Sequence, residues 1–233
     1  MKLHIDELPW QADSAPLFAA LRDLPGAAWL DSAQPWASGG RYDILVAAPI
    51  AETPQAPDTS APSSCWNRYL QALADLHRER YATIAPASQR LPFCGGLLGY
   101  LVQDHLLQRS ALVAMPWVAS SARADIRARL ATANHTLRPF TLGGSFQPAM
   151  SRRDYHSAFA HIQDYIAAGD CYQVNLAQRF DATYNGDPFT AYCTLREVAA
   201  APFSGYLEPA AEQALLCLSP ERFISLQGQQ VET

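Results

Sequence analysis

Residues Ser151 to Gly169 restrict the fold more than any other stretch of the chain. Ser151, followed three residues on by Asp154, resembles a capping box with Asp in place of the usual Glu or Gln. Tyr155, Phe159, Ile162 and Ile166 recur at i, i+4, i+7 and i+11, one apolar stripe of an α-helix, and Gly169 stands where a helix needs a left-handed terminator. The spacing predicts a helix over 152–168. Alternation follows at once from Cys171 to Phe180, with Tyr172, Val174 and Leu176 on one face of a strand and Gln173, Asn175 and Arg179 on the other. Asp187-Pro188 opens a second helix whose stripe is Phe189, Tyr192 and Leu195. Three β-like runs come next, Phe203–Leu207, Ala214–Leu218 and Arg222–Leu226, before a Gln227-Gly228 turn. The pattern is α+β with mostly antiparallel strands packed with helices.

The upstream part reads the same way. Asp13-Ser14 can cap a short helix that carries Pro16 in its first turn and Leu17, Phe18 and Leu21 on one side. Ala27–Leu30 and Tyr42–Val46 are strands around a loop ending in Ser38-Gly39-Gly40, and the Pro- and Ser-rich stretch Thr53–Pro62 is a surface loop. Trp66, Leu70, Leu73 and Leu76 place one buried stripe on a helix over Ser64–Arg80. Phe93–Leu101 reads as a strand with a tight corner at its glycines, Val102–His105 and Ala111–Met115 as hairpin arms, and Ala122–Ala133 as a helix with Ile126 and Leu130 in register. Asn134–Met150, with two prolines and Gly143-Gly144, reads as a linker.

Composition then excludes several functions. Of 233 residues 49% are hydrophobic, enough for a real core, and 17 Lys and Arg against 22 Asp and Glu leave a net charge of -5 with no basic block to meet phosphates. Nucleic acid is not an expected partner. Cys65, Cys94, Cys171, Cys193 and Cys217 are odd in number and never at metal or CxxC spacing, which points to a reducing cytoplasm. The six histidines form no ligand pair and read as surface or cap residues. The opening MKLHIDELPW lacks the apolar core of a signal peptide, and no run approaches the roughly 18 apolar residues of a membrane span.

Two clusters could carry chemistry. Gln173, Asn175 and Arg179 suit a small oxygen-rich ligand, or form an ordinary solvated strand face. Ser219-Pro220-Glu221-Arg222 offers an acid, or a plain turn with a surface ion pair.

GDCYQVNLAQRF (Gly169–Phe180), APFSGYL (Ala201–Leu207) and LSPERF (Leu218–Phe223) resemble the chorismate-utilising enzymes, most closely the aminodeoxychorismate synthase component I group. WLDSA (Trp29–Ala33), GRYDILVAAP (Gly40–Pro49) and LPFCGGLLGY (Leu91–Tyr100) resemble that family's amino-terminal part, as does ELPW near the start. The resemblance implies large, mostly antiparallel sheets of the anthranilate synthase component I type. Residues 1–145 would form the amino-terminal region, and 146–233 the start of a chorismate-binding catalytic domain that is incomplete at the C-terminus.

It also implies chemistry. Glu221 matches the acid that protonates the departing C4 hydroxyl of chorismate. Gln173 stands where water-using relatives carry a lysine base, and since glutamine cannot deprotonate water, the ammonia-using branch is implied, with a glutamine amidotransferase subunit as partner. The expected product is 4-amino-4-deoxychorismate, on the route to para-aminobenzoate and folate; anthranilate synthase component I, which shares both residues, is the alternative. Ser32, Arg41, Tyr42, Tyr172, Pro202, Phe203 and Ser204 match a tryptophan pocket, or simply a core between sheets, and an inactive fragment keeping that pocket is a third reading. The family's active-site lysine and the carboxylates for its Mg2+ lie beyond Val231-Glu232-Thr233, so no metal ligand is expected in this chain and no turnover from it alone. A stretch that the family carries after GGLLGY has no counterpart at Leu101-Val102.

Overall fold

The computed structural model describes residues 2–48, 54, 56–58, 60–81, 100–133, 136–210, 212–227 and 229–232. The elements in chain order are β1 (His4–Leu8), α1 (Ala15–Ala19), β2 (Ala28–Asp31), β3 (Tyr42–Val46), α2 (Ser63–Tyr81), β4 (Tyr100–Asp104), β5 (Arg109–Ala114), α3 (Ser120–Ala131), β6 (Phe140–Leu142), β7 (Gln147–Pro148), α4 (Arg152–Ala168), β8 (Phe180–Asp181), β9 (Tyr184–Gly186), α5 (Pro188–Ala199), β10 (Phe203–Ala210), β11 (Gln213–Ser219), β12 (Ser225–Gln227) and β13 (Gln230–Glu232). They fall into two units, Met1–Leu137 with Ala191–Thr233, and Arg138–Thr190.

The first unit is organised by a seven-stranded sheet in the order β1-β5-β4-β3-β2-β10-β11, antiparallel at every pairing. Alternation gives it two faces. Trp29, Asp31, Asp43, Leu45, Leu101, Gln103, Ser204 and Tyr206 occupy one of them and are all buried. Over it Phe18 stacks on Trp29 at 5.7 Å, Tyr192 meets Trp29 edge-on at 5.7 Å, and Tyr206 lies 5.2 Å from Tyr192. Four large aromatics thus fill the layer between sheet and helices, each worth an aromatic contact beyond its buried area. The opposite face has a smaller apolar cluster of Tyr100, Val102 and Val113. Leu30 and Leu215, farther across that face, remain more than half exposed.

The second unit holds α4 and two small ladders, β6 with β9 and β7 with β8. Ser151 caps α4, its Oγ accepting the Asp154 amide at 3.1 Å, and Gly169 ends it at φ 83°, a conformation glycine adopts without a Cβ penalty. The sequence spacing gave the bounds of this helix correctly.

Several expectations need correction. The alternating segment 171–180 is not a strand of the large sheet: only Phe180 and Asp181 enter a ladder, opposite Pro148 and Gln147, and residues 171–179 are not strand. Alternation prepares two faces, but a strand exists only where a neighbour supplies the ladder. The linker expected over 134–150 contains β6 and β7, since such a neighbour is present there. In α5 the buried residues are Phe189, Tyr192, Cys193 and Arg196, while Leu195 is 47% exposed. The α2 stripe is at most half-buried, and Leu70 is exposed. The expected corner at residues 93–99 lies outside the described residues. Among the described residues no helix is long and apolar enough to cross a membrane.

Candidate functional site

Because β2 runs antiparallel to both β3 and β10, the end of β2 and the starts of the other two strands share one end of the sheet. Ser32, Arg41, Tyr42, Pro202, Phe203 and Ser204 gather there, and Ser204 pairs with Asp31 across β10 and β2. What organises this end is a buried polar network.

Asp43, wholly buried on β3, accepts the backbone amide and the hydroxyl of Ser32 through Oδ1, each at 2.7 Å. Its Oδ2 accepts the Ser14 hydroxyl and lies 3.0 Å from His105 Nε2. Burial alone would raise this carboxyl, but the hydrogen bonds from His105, Ser14 and Ser32 outweigh it and hold the group below the usual carboxylate range. His105 is therefore a buried partner, and the expectation of a surface histidine is corrected. Ser32 has committed its only proton to Asp43, which leaves it acceptor capacity alone.

Arg196 of α5 is fully buried. Its Nε and Nη2 grip Asp31 at 2.6 and 2.7 Å, Nη1 reaches Asp13 at 2.7 Å, and Nη2 also donates to the Gln34 carbonyl at 3.1 Å. The guanidinium lies 4.5 Å from the Trp29 ring and 4.7 Å from that of Trp36. Tyr192 donates its hydroxyl to Asp31 at 2.7 Å. Burial pushes the Asp31 carboxyl up, Arg196 pulls it back only in part, and the Asp43 charge adds to the rise. Burial also pushes the neighbouring Cys193 thiol up to about 12, which keeps it an unreactive thiol.

Arg41 forms a two-pronged pair with Asp104 at 3.0 and 2.8 Å and lies 4.6 Å from the Tyr42 ring. Asp104 also accepts the Leu106 and Leu107 amides. Although burial works against it, these bonds hold the Asp104 carboxyl below its ordinary range. A cavity of about 460 Å³ opens beside Tyr42, with Ile5, Val102 and Ala111 among its apolar lining and Glu7 and Arg109 among its charged lining.

The lowered carboxyls set an acid limb. Unfolded carboxyls titrate near about 3.9, so the stability from Asp43 and Asp104 is full above that pH and is lost as pH falls toward their lower folded values. Thermal melts between about pH 2 and 5 should show this loss, and Asp43→Asn should be less stable at neutral pH and lose less on acidification. An unchanged acid limb in that variant would assign the loss elsewhere.

Gly40 packs directly on Ser32: a Cβ there would collide with the Ser32 side chain and carbonyl. Gly40→Ala must shift backbone, and thermal unfolding should register a loss of about 1–3 kcal/mol.

The other sequence-derived candidates are placed as follows. Glu221 sits in the exposed turn after β11, where the Ser219 hydroxyl donates to the Glu221 carbonyl at 2.8 Å. Phe203 is 38% exposed with the Arg222 guanidinium 5.1 Å from its ring, and the buried Ser204 hydroxyl donates to the Ala201 carbonyl at 2.7 Å. Tyr172, 96% exposed, and Gln173, also exposed, belong to the second unit. The network of Asp13, Asp31, Asp43, His105 and Arg196 is not read from the sequence, where Asp13 stands only as a helix cap and His105 only as a surface or cap histidine, although Phe189, Tyr192, Cys193 and Arg196 fall at i, i+3, i+4 and i+7, the register of one buried face. Among the described residues no group of three His, Cys, Asp or Glu could hold a metal ion, and the buried acids Asp31, Asp43 and Asp104 are engaged by Arg196, by His105 and serines, and by Arg41.

Residues 30–233 match the family model for chorismate binding enzymes. Aminodeoxychorismate synthase component 1 of Klebsiella aerogenes is 34% identical over 266 residues, covering 97% of this chain and 58% of that protein. The protein of the same name from Escherichia coli is also 34% identical, over 97% of this chain and 57% of its own length. Anthranilate synthase component 1 of Thermus thermophilus is 39% identical over 88 residues, 38% of this chain. The chain thus spans under three fifths of the length of the first two relatives.

Proposed function

The chain belongs to the chorismate binding enzyme family, and from that premise we propose that it is part of an aminodeoxychorismate synthase component 1. The activity is replacement of the C4 hydroxyl of chorismate by ammonia to give 4-amino-4-deoxychorismate, for para-aminobenzoate and folate synthesis. A glutamine amidotransferase subunit supplies the ammonia. The observation that carries this reading is coverage: the Klebsiella aerogenes and Escherichia coli relatives of that name align along 97% of the chain, whereas the Thermus thermophilus anthranilate synthase match reaches 38% of it. The architecture would be of the anthranilate synthase component I type, with the catalytic domain beginning near residue 146.

Glu221 is the general acid in this reading. Hydroxide is a poor leaving group near neutral pH, so the bond to C4 breaks only as a proton reaches its oxygen. Gln173 stands where a base would be needed for water and is not needed for ammonia, already a nucleophile. The resemblance implies Mg2+, whose chemistry would be to bind chorismate's carboxylate; the residues described here make no ligand set for it, and no step is assigned to it. Ser32, Arg41, Tyr42, Pro202, Phe203 and Ser204 are assigned to a tryptophan pocket, for which their place at one end of the sheet is the support, Tyr42 and Phe203 alternating to the face opposite that of Asp43 and Ser204.

The test is product analysis. This chain, fused to the remaining C-terminal part of the Escherichia coli relative, is incubated with chorismate, Mg2+ and ammonium. The expected product is 4-amino-4-deoxychorismate; anthranilate in its place overturns the assignment.

A further inference from the structure

We propose that Arg196 is the positioning residue of the tryptophan pocket, fixing the turn that carries Ser32 relative to the segment Pro202-Phe203-Ser204. This rests on the tryptophan reading of that end of the sheet.

The two walls come from chain segments some 160 residues apart, 31–42 and 202–204. Strand pairing joins them at Ser204 and Asp31, but the backbone after Asp31 leaves the ladder, so the ladder alone does not set where Ser32 stands. Arg196 supplies the missing constraint from both sides. On its own helix, the Ala200 amide donates to the Arg196 carbonyl at 2.9 Å, and the chain then turns through Ala200 at φ 45° into Ala201 and Pro202. Across from the helix, the guanidinium holds both oxygens of Asp31 and the carbonyl of Gln34, which brackets Ser32 and Ala33. The Asp31 oxygen held by Nη2 also accepts the Ala33 amide at 2.7 Å. A single rigid, planar fork therefore links the end of α5 to the turn that presents Ser32.

Charge alone does not explain this arrangement. A lysine could neutralise Asp31, yet it cannot grip two oxygens in one plane while also reaching Asp13 and the Gln34 carbonyl. The Trp29 and Trp36 rings both lie against the group, at 4.5 and 4.7 Å. Geometry is what the arginine adds, and a pocket misplaced by about 1 Å loses most of its ligand-specific contacts.

The experiment is calorimetric titration of L-tryptophan into the 233-residue chain, its Arg196→Lys variant and a Leu112→Ala control. Leu112 is a buried residue of β5, three strands from β2, so its truncation loosens the same core away from the turn. Arg196→Lys should weaken tryptophan binding by about tenfold or more and speed amide exchange at Ala33, while Leu112→Ala stays within about twofold. Equal affinity in Arg196→Lys and the parent overturns the positioning role and leaves the tryptophan reading standing. Equal weakening in Leu112→Ala also overturns it, because general loosening then suffices. No binding by the unsubstituted chain overturns the tryptophan reading and this inference together.

Discussion

Arg196→Met should lower the unfolding free energy by about 3–5 kcal/mol, the usual cost of removing one partner from a buried ion pair. Methionine nearly fills the space and keeps contact with Trp29 and Trp36, so the loss is chiefly the stranded carboxylate of Asp31. That cause has a signature in pH. The folded Asp31 is already pushed up by burial, and without Arg196 it rises further. A group whose folded pKa lies above its unfolded value gives stability that is full below the unfolded pKa and is lost as pH rises through the folded one. The deficit of Arg196→Met relative to the parent should therefore shrink from pH 7 toward about pH 5, above the range where Asp43 and Asp104 begin to titrate. Denaturant melts at the two pH values decide it. A deficit that does not change with pH would assign the loss to packing.

The elements that sequence reasoning placed well are those whose determinants are local. Helix α4 was legible because Ser151, its four-residue stripe and Gly169 act within the element itself. The hairpin of β4 and β5 was legible because its partners are neighbours in the chain. Residues 171–179 were misjudged for the converse reason: their alternation is real, but a ladder is a property of two segments, and no spacing within one segment reports whether the other is there. Burial of charge failed in the same way. The apolar stripe names Leu195 as a core residue of α5 and passes over Arg196, because the acids that make Arg196 buriable lie 183 and 165 residues away at Asp13 and Asp31. His105 was likewise buried by a distant partner, Asp43. The resemblance names Ser32, Arg41 and Ser204, and its short segments contain Asp31 and Asp43 as well, but the partners that bury those two acids, Ser14, His105 and Arg196, lie outside the segments, so the network is not legible from them.

Glu221→Gln, in the chain fused to the C-terminal part of the Escherichia coli relative, should reduce chorismate amination by about 10²-fold or more. The substitution keeps the size and hydrogen-bonding reach of the side chain but removes the proton that the leaving hydroxyl takes up. The exposed position of Glu221 in the turn after β11 makes the variant structurally mild, so its melting temperature should match that of the parent. The loss should fall on kcat with little change in KM, since a proton delivered as the C–O bond breaks acts in the transition state. A leaving group that needs no acid offers the converse check: an analogue whose C4 substituent departs as a stable anion should be aminated by Glu221→Gln nearly as fast as by the parent. If both substrates slow equally, Glu221 acts in binding or folding, and the general-acid role is lost.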